Sequence, residues 1–206
     1  MKIQDPILTN GVHGKTADAL AAIHHEENSI AVYERDIQSL NQELRWAVQA
    51  GCSFESEGDV GEISLSLEAY FQVHLPKCSG LLNDLIALVQ LFAEVTKDNS
   101  YRVSLSTVSS NMCRKFHTDI NDLRLLCTYI GQGTLWVSED PENRIKDVEQ
   151  PIDNRQIHQA KAGDVLILKG ALHPNGNPVL HKSPAIENSG ESRLLLRVDT
   201  SNKLEL

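Results

Sequence analysis

The segment Phe116-His117-Thr118-Asp119 sets a histidine and an aspartate two residues apart, and on an extended chain that spacing turns both side chains to one face. An imidazole and a carboxylate so placed can chelate a metal ion. A third ligand from a distant strand would complete a two-histidine, one-carboxylate facial triad, which leaves three coordination positions open and suits Fe(II) oxygen chemistry. His181, in Val-Leu-His-Lys-Ser-Pro, is the candidate; it lies 62 residues beyond Asp119, far enough to return along the other side of a barrel. His173 is its rival, although the Pro-Asn-Gly that follows it reads as a turn and suggests a surface loop. His158 and the His24-His25 pair have no carboxylate at chelating spacing and are expected to face solvent. Cys113, four residues before His117, could approach the ion if the strand bends; the alternative is a small buried hydrophobe. Cys113 or Cys127 as a nucleophile with His117 as base lacks a family signature, and the fragments GQGT and NGNP lack phosphate-loop spacing and read as turns.

These residues need a β framework, and the second half of the chain supplies one. YRVSLSTVSS (101–110), LRLLCTYIG (123–131), GTLWV (133–137) and RLLLRVD (193–199) carry β-formers in short runs, and QIHQAKAGDVLILKG (156–170) reads as two strands joined by an Ala-Gly-Asp turn. A polar excursion runs from Ser138 to Arg155. The first half reads as mainly helical: an Ala-rich helix over Thr16 to His25, a helix after Asp36 that Gly51 stops, and a stronger one capped by Ser79 with Leu82, Leu85, Ile86, Val89, Phe92 and Val95 on one stripe. Ser29 to Tyr33 is a brief strand. The expectation is an α+β fold: a double-stranded β-helix, or jelly roll, with N-terminal helices packed on its sheet. Residues 1–206 form one domain, 1–100 mainly helical and 101–206 the metal-binding core.

Composition narrows the function classes. With 206 residues, a formal net charge of −9 and a pI near 5.3, the chain is a poor match for phosphate backbones or anionic lipid, so nucleic acid is an unlikely partner and no membrane is expected. Four scattered cysteines form no CxxC pair and the N-terminus lacks a signal-type apolar core, which points to reduced thiols and a cytoplasmic location. The apolar stripe of the Leu82 to Val95 helix is expected to pack on the sheet; a homodimer contact is its other use.

In order along the chain, FHTD, LCTYIGQGTLWV, AGDVLILKG and VLHKSPAIENSGESRLLLRV resemble the catalytic core of the iron- and 2-oxoglutarate-dependent oxygenases, most closely the prolyl-hydroxylase-like branch. That resemblance covers residues 101–199. It implies Fe(II) on His117, Asp119 and His181, and 2-oxoglutarate as co-substrate. Arg193, 12 residues beyond His181, falls where that family places the basic residue that pairs with the far carboxylate of 2-oxoglutarate, with Arg197 as a rival four residues on. Tyr129 matches the aromatic that can donate a second hydrogen bond to the same carboxylate; its other reading is a core aromatic. One departure is the short stretch between second and third ligands, which leaves substrate binding to the N-terminal half and the Ser138 to Arg155 loop. Over most of its length the chain also resembles an uncharacterised bacterial family sharing an RLLCTY-GxGT-W segment and a terminal H-(R/K)-SP. Two functional classes follow: an oxygenase acting on an unidentified small-molecule or protein substrate, or a non-catalytic barrel for zinc or other divalent metal homeostasis.

Overall fold

The computed structural model describes residues 10–139, 152–175, 177–187 and 189–201. Ten strands form two sheets. The larger has the order β1 (Gly11–Gly14), β2 (Ile30–Tyr33), β8 (Val165–Lys169), β5 (Leu123–Ile130), β10 (Arg193–Thr200), β4 (Tyr101–Val108) and β3 (Ser53–Gly58). The smaller has the order β7 (Ile157–Gln159), β6 (Leu135–Val137) and β9 (His181–Lys182), and it is extended beyond β9 by a single antiparallel bridge between His117 and His181. Strands that alternate between two sheets, packed on each other through a shared apolar layer, make the expected double-stranded β-helix. All pairs in the large sheet are antiparallel except β1 with β2.

The N-terminal hundred residues are less purely helical than their sequence suggests, because β1, β2 and β3 all join the large sheet. Helices α1 (Asn41–Gln49), α2 (Val60–His74) and α3 (Ser79–Thr96) stand beside them, and the segment Ala17–His24 forms a 3-10 helix. Strand β3 and helix α2 lacked a sequence signal. β3 has exposed polar residues at alternate positions and a single buried apolar side chain, Phe54, and α2 keeps only Ile63, Leu67 and Phe71 buried. What α2 does carry is a complete capping box, in which Asp59 accepts from Glu62 N at 2.9 Å and Glu62 accepts from Asp59 N at 3.0 Å. Ser79 does not cap α3. The carboxylate of Glu43 on α1 takes that role, accepting from Leu81 N at 2.7 Å and Gly80 N at 3.3 Å, so the cap also ties two helices together.

Helix α3 is long and apolar enough to cross a bilayer, but its stripe of Leu81, Leu85, Leu88, Val89, Phe92 and Val95 is buried against the sheet. On β5, Leu123, Leu125, Cys127 and Tyr129 meet this helical layer, while Leu126 joins Ile30, Val32, Trp136, Leu166, Leu168 and Leu195 between the two sheets. Both faces of the central strands are therefore buried. Burying a side chain of this size contributes about 1.5–3 kcal/mol, and this double use explains the near-continuous apolar runs.

Candidate metal centre

The His117–His181 bridge is the frame of the site. Each residue donates its backbone N–H to the other's carbonyl at 3.0 Å, which brings chain segments 64 positions apart into register and sets the rings side by side, tilted by 44° with centroids 4.6 Å apart. Both rings are oriented by a second bond: His117 Nδ1 lies 3.2 Å from the carbonyl of Lys115, and His181 Nδ1 lies 3.2 Å from the carbonyl of Val179. A carbonyl can only accept, so each Nδ1 carries the proton and each Nε2 keeps its lone pair.

Those two Nε2 atoms face Asp119. Its Oδ1 is 3.7 Å from His117 Nε2 and its Oδ2 is 3.2 Å from His181 Nε2, and one donor atom from each of the three residues falls within 4.8 Å of the others. The loop after β8 fixes the aspartate's backbone: Ala171 N donates to Asp119 O at 2.8 Å and Leu172 N to Asn121 O at 2.9 Å. Gly170 begins that loop because any Cβ there would collide with the backbone and side chain of Asn121. Burial by itself would raise the Asp119 carboxyl, but the hydrogen bond and charge of His181, with Arg124 and His117, hold it below the usual carboxylate range. A small, mostly buried cluster of two imidazoles and one carboxylate is a donor set that can hold Fe(II) or another divalent ion.

Arg193 and Arg197 lie on the inner face of β10, alternating with Leu194, Leu196 and Val198, which meet the helices. Arg193 is 1% exposed, its Nη2 donates to Thr128 Oγ1 at 3.0 Å, and its Nε has no partner. Among the described residues no carboxylate pairs with it. Burial alone pulls its guanidinium down to about 10. An unpaired buried cation is costly, and its planar fork is suited to a carboxylate ligand. Arg197 is one third exposed and lies beside Asp199, 3.3 Å from Nε to Oδ2. Gly131, at φ +85°, turns the chain next to Arg193; a Cβ there would come within 2.6 Å of the Ser192 carbonyl.

Tyr129 does not reach the site. Its hydroxyl donates to Asp84 Oδ2 on α3 at 2.5 Å, beside the bidentate Arg35–Asp84 pair, on the helical side of the sheet. The register of β5 shifts at its end, but Tyr129 still shares a face with Leu125 and Cys127; the inward polar residue is its neighbour Thr128. His173 and His158 also differ from expectation. The His173 side chain is only 6% exposed, near Asp122, and it is not part of the ligand cluster. His158 stacks on Trp136 with centroids 5.5 Å apart and bonds Ser138 Oγ at 3.0 Å. Cys113 is half-buried and outside the cluster, and burial pushes the Cys127 thiol up to about 11, which removes it as a nucleophile. Most of the Ser138 to Arg155 loop lies outside the described residues.

Two residues that the sequence did not single out complete the surroundings. Arg124 Nη1 lies 2.5 Å from Asp119 Oδ2, while its Nε and Nη2 grip Asp199 at 2.5 and 3.2 Å. The available signal was Arg124 as the one charge inside the apolar run of β5 and Asp199 as the one acid on β10, since charges inside buried strands must be paired.

Residues 14–199 match a protein family of unknown function, DUF1826. The chain belongs to that family. No curated protein matches it. Among solved structures it is similar to a rice dioxygenase for auxin oxidation, at 12% identity and a TM-score of 0.52, over 93% of this chain and 82% of that one. It is also similar to the Arabidopsis thaliana dioxygenase for auxin oxidation 1 in complex with 2-oxoglutarate, at 9% identity and a TM-score of 0.51, over 93% and 92%. A Pseudomonas putida prolyl-4-hydroxylase matches at 12% identity and a TM-score of 0.48, over 89% and 97%. At such identities the likeness shows the jelly-roll fold that this family member shares with those dioxygenases.

Proposed function

We propose that the protein is an Fe(II)- and 2-oxoglutarate-dependent oxygenase. The observation that carries this reading is Arg193: a guanidinium buried without a carboxylate, on the inner face of the same barrel as a His-Asp-His cluster. A barrel that only stores metal gives that residue no task, whereas a dicarboxylate co-substrate gives it one.

In this reading His117, Asp119 and His181 hold the metal by three protein donors, and the Nδ1 bonds to Lys115 and Val179 keep both imidazoles turned toward it. Arg193 binds the far carboxylate, and Thr128 fixes the direction of its fork. Leu126, Leu195 and Trp136 supply apolar surface between the sheets that excludes water from the interior. When bound, iron(II) and 2-oxoglutarate supply the oxidative decarboxylation that drives hydroxylation of a C–H bond. The four free cysteines suit a reducing, cytoplasmic setting.

The test is an anaerobic titration of Fe(II) and then 2-oxoglutarate into metal-free protein, following the visible charge-transfer band of chelated oxoglutarate. A band that appears in the wild type and is lost in Arg193→Met supports the reading. Tight metal binding with no oxoglutarate binding would replace it with a metal-handling role.

A further inference from the structure

The row of residues that crosses the large sheet at the metal end alternates in charge. Glu57 on β3 faces Arg102 on β4, Arg102 faces Asp199 on β10, and Asp199 faces Arg124 on β5. Arg102 binds Glu57 at 3.1 Å, Arg124 binds Asp199 with both arms of its fork, and the remaining arm, Nη1, contacts Asp119. The outer members border a cleft of about 370 Å³ whose rim carries the exposed Ile120 and Leu172. Arg124 lines this cleft and Asp119 does not, so the guanidinium lies between open solvent and the carboxylate.

Arg124 treats the two oxygens of Asp119 differently. Oδ2 is fully buried, in ion-pair contact with Nη1 at 2.5 Å and 3.2 Å from His181 Nε2, whereas Oδ1 has no guanidinium beside it and faces His117 Nε2 at 3.7 Å. A carboxylate next to a divalent ion can ligate through one oxygen or both. A guanidinium fixed on Oδ2 neutralises that oxygen and leaves Oδ1 as the available donor. The fork cannot swing away, because its other two nitrogens are held by Asp199, itself fixed by Asn121 Nδ2 at 2.9 Å.

We infer that Arg124 is a positioning residue that restricts Asp119 to one metal-binding oxygen, keeping open the coordination positions that a chelating co-substrate needs. This rests on the oxygenase reading above. It assigns Arg124 no contact with substrate; its action runs through Asp119, and Asp199 is its anchor.

The test compares wild type, Arg124→Met and Arg124→Lys, with Arg102→Met as a control at the solvent end of the row. Met fills the length of the arginine stem, and Asp199 retains Asn121 and Arg197 as neighbours, so the fold has a route to persist. Co(II) affinity by calorimetry and 2-oxoglutarate affinity of the anaerobic Fe(II)-loaded protein are measured on folded samples. In Arg124→Met, Co(II) should bind at least as tightly as in wild type, because a nearby positive charge is gone and a second oxygen is free. Its 2-oxoglutarate affinity should fall by about tenfold or more, with a weaker charge-transfer band. Arg124→Lys, which keeps a cation beside Oδ2, should recover part of that loss, and Arg102→Met should match wild type. A purely structural role would change the melting temperature and leave both affinities in place, and that result overturns the inference while sparing the oxygenase reading. Loss of Co(II) binding in Arg124→Met would also overturn it, since Arg124 would then support ligation itself. Absence of the band in wild-type protein would remove the oxygenase reading and this inference together. If Arg124→Met does not fold, Arg124→Lys carries the decision: unaltered oxoglutarate affinity and band shape there, with Asp199→Asn equally silent, would refute the role.

Discussion

At the scale of single residues, the informative feature is a charge in the wrong place for stability. Among the described residues Arg193 is buried without a counter-ion, and a guanidinium that burial pulls down to about 10 is less stable charged in the folded state than in the unfolded chain. The sign follows: the folded value is depressed, so the full stability belongs above the unfolded value, and near neutral pH the charged residue costs the fold free energy. Arg193→Met should therefore stabilise the metal-free protein by about 1–3 kcal/mol while abolishing the stabilisation that added Fe(II) and 2-oxoglutarate give the wild type. Chemical denaturation of both proteins, with and without ligands, checks this. A destabilised variant would mean that Arg193 is paired in solution and is no vacant anion site.

At the scale of elements, β5 shows why one functional residue was misplaced. Its odd-numbered residues pack on helices, while Leu126 and Thr128 of the even row face the barrel; the outer row ends in Tyr129, whose hydroxyl gave it the look of a site residue, and the inner row's polarity is confined to Arg124 and Thr128. Tyr129 fell on the outer row and joins Arg35 and Asp84 in a clamp between α3, the sheet and the turn at Gly163, where Arg35 Nε donates to the carbonyl at 2.7 Å. The clamp's ion pair is largely buried, with side-chain exposures of 11% and 21%. Asp84→Ala would strand Arg35 and the Tyr129 hydroxyl and should lower stability by about 3 kcal/mol or more. Because the clamp lies on the far face from the metal cluster, Co(II) affinity of the folded variant should equal that of wild type. A change in affinity without a loss of stability would contradict this division between faces.

At the scale of the whole molecule, the barrel interior continues the metal cluster into an aromatic row. His117, His181, Trp136 and His158 are successive cross-strand neighbours on the small sheet, and His13 from the edge of the large sheet packs on Trp136 at 5.9 Å. Burial holds His158 below the usual histidine range, helped by the charge of His13, and burial does the same for His173. Folding thus favours their neutral forms, so their contribution is complete above about pH 6.5 and is lost as pH falls through the folded values, at no more than about 1.4 kcal/mol per pH unit for each group. The urea midpoint of metal-free protein should drop between pH 7.5 and pH 5.5, and His158→Gln should flatten that dependence. Equal slopes for the two proteins would show that His158 titrates no differently when folded.

The sequence by itself determined what is local or periodic. The His-x-Asp spacing put an imidazole and a carboxylate within reach of one another, and the runs at 101–108, 123–130, 165–169 and 193–199 declared strands because β-formers at those densities suit little else. The order of those strands was enough to name a jelly roll, and the Pro-Asn-Gly turn after His173 was the reason to prefer His181 as the third candidate. Only the tertiary structure decided which face of β8 is the inside, since burial on both sides erases the hydrophobic alternation that marks β10. It also decided that Glu43 caps a helix 36 positions away, that β1 and β3 join the expected strand at Ser29 to Tyr33 in the large sheet, and that Arg124 contacts Asp119. Each of these is a pairing across long chain separations, and such pairings follow from how elements pack rather than from any residue's neighbours in sequence.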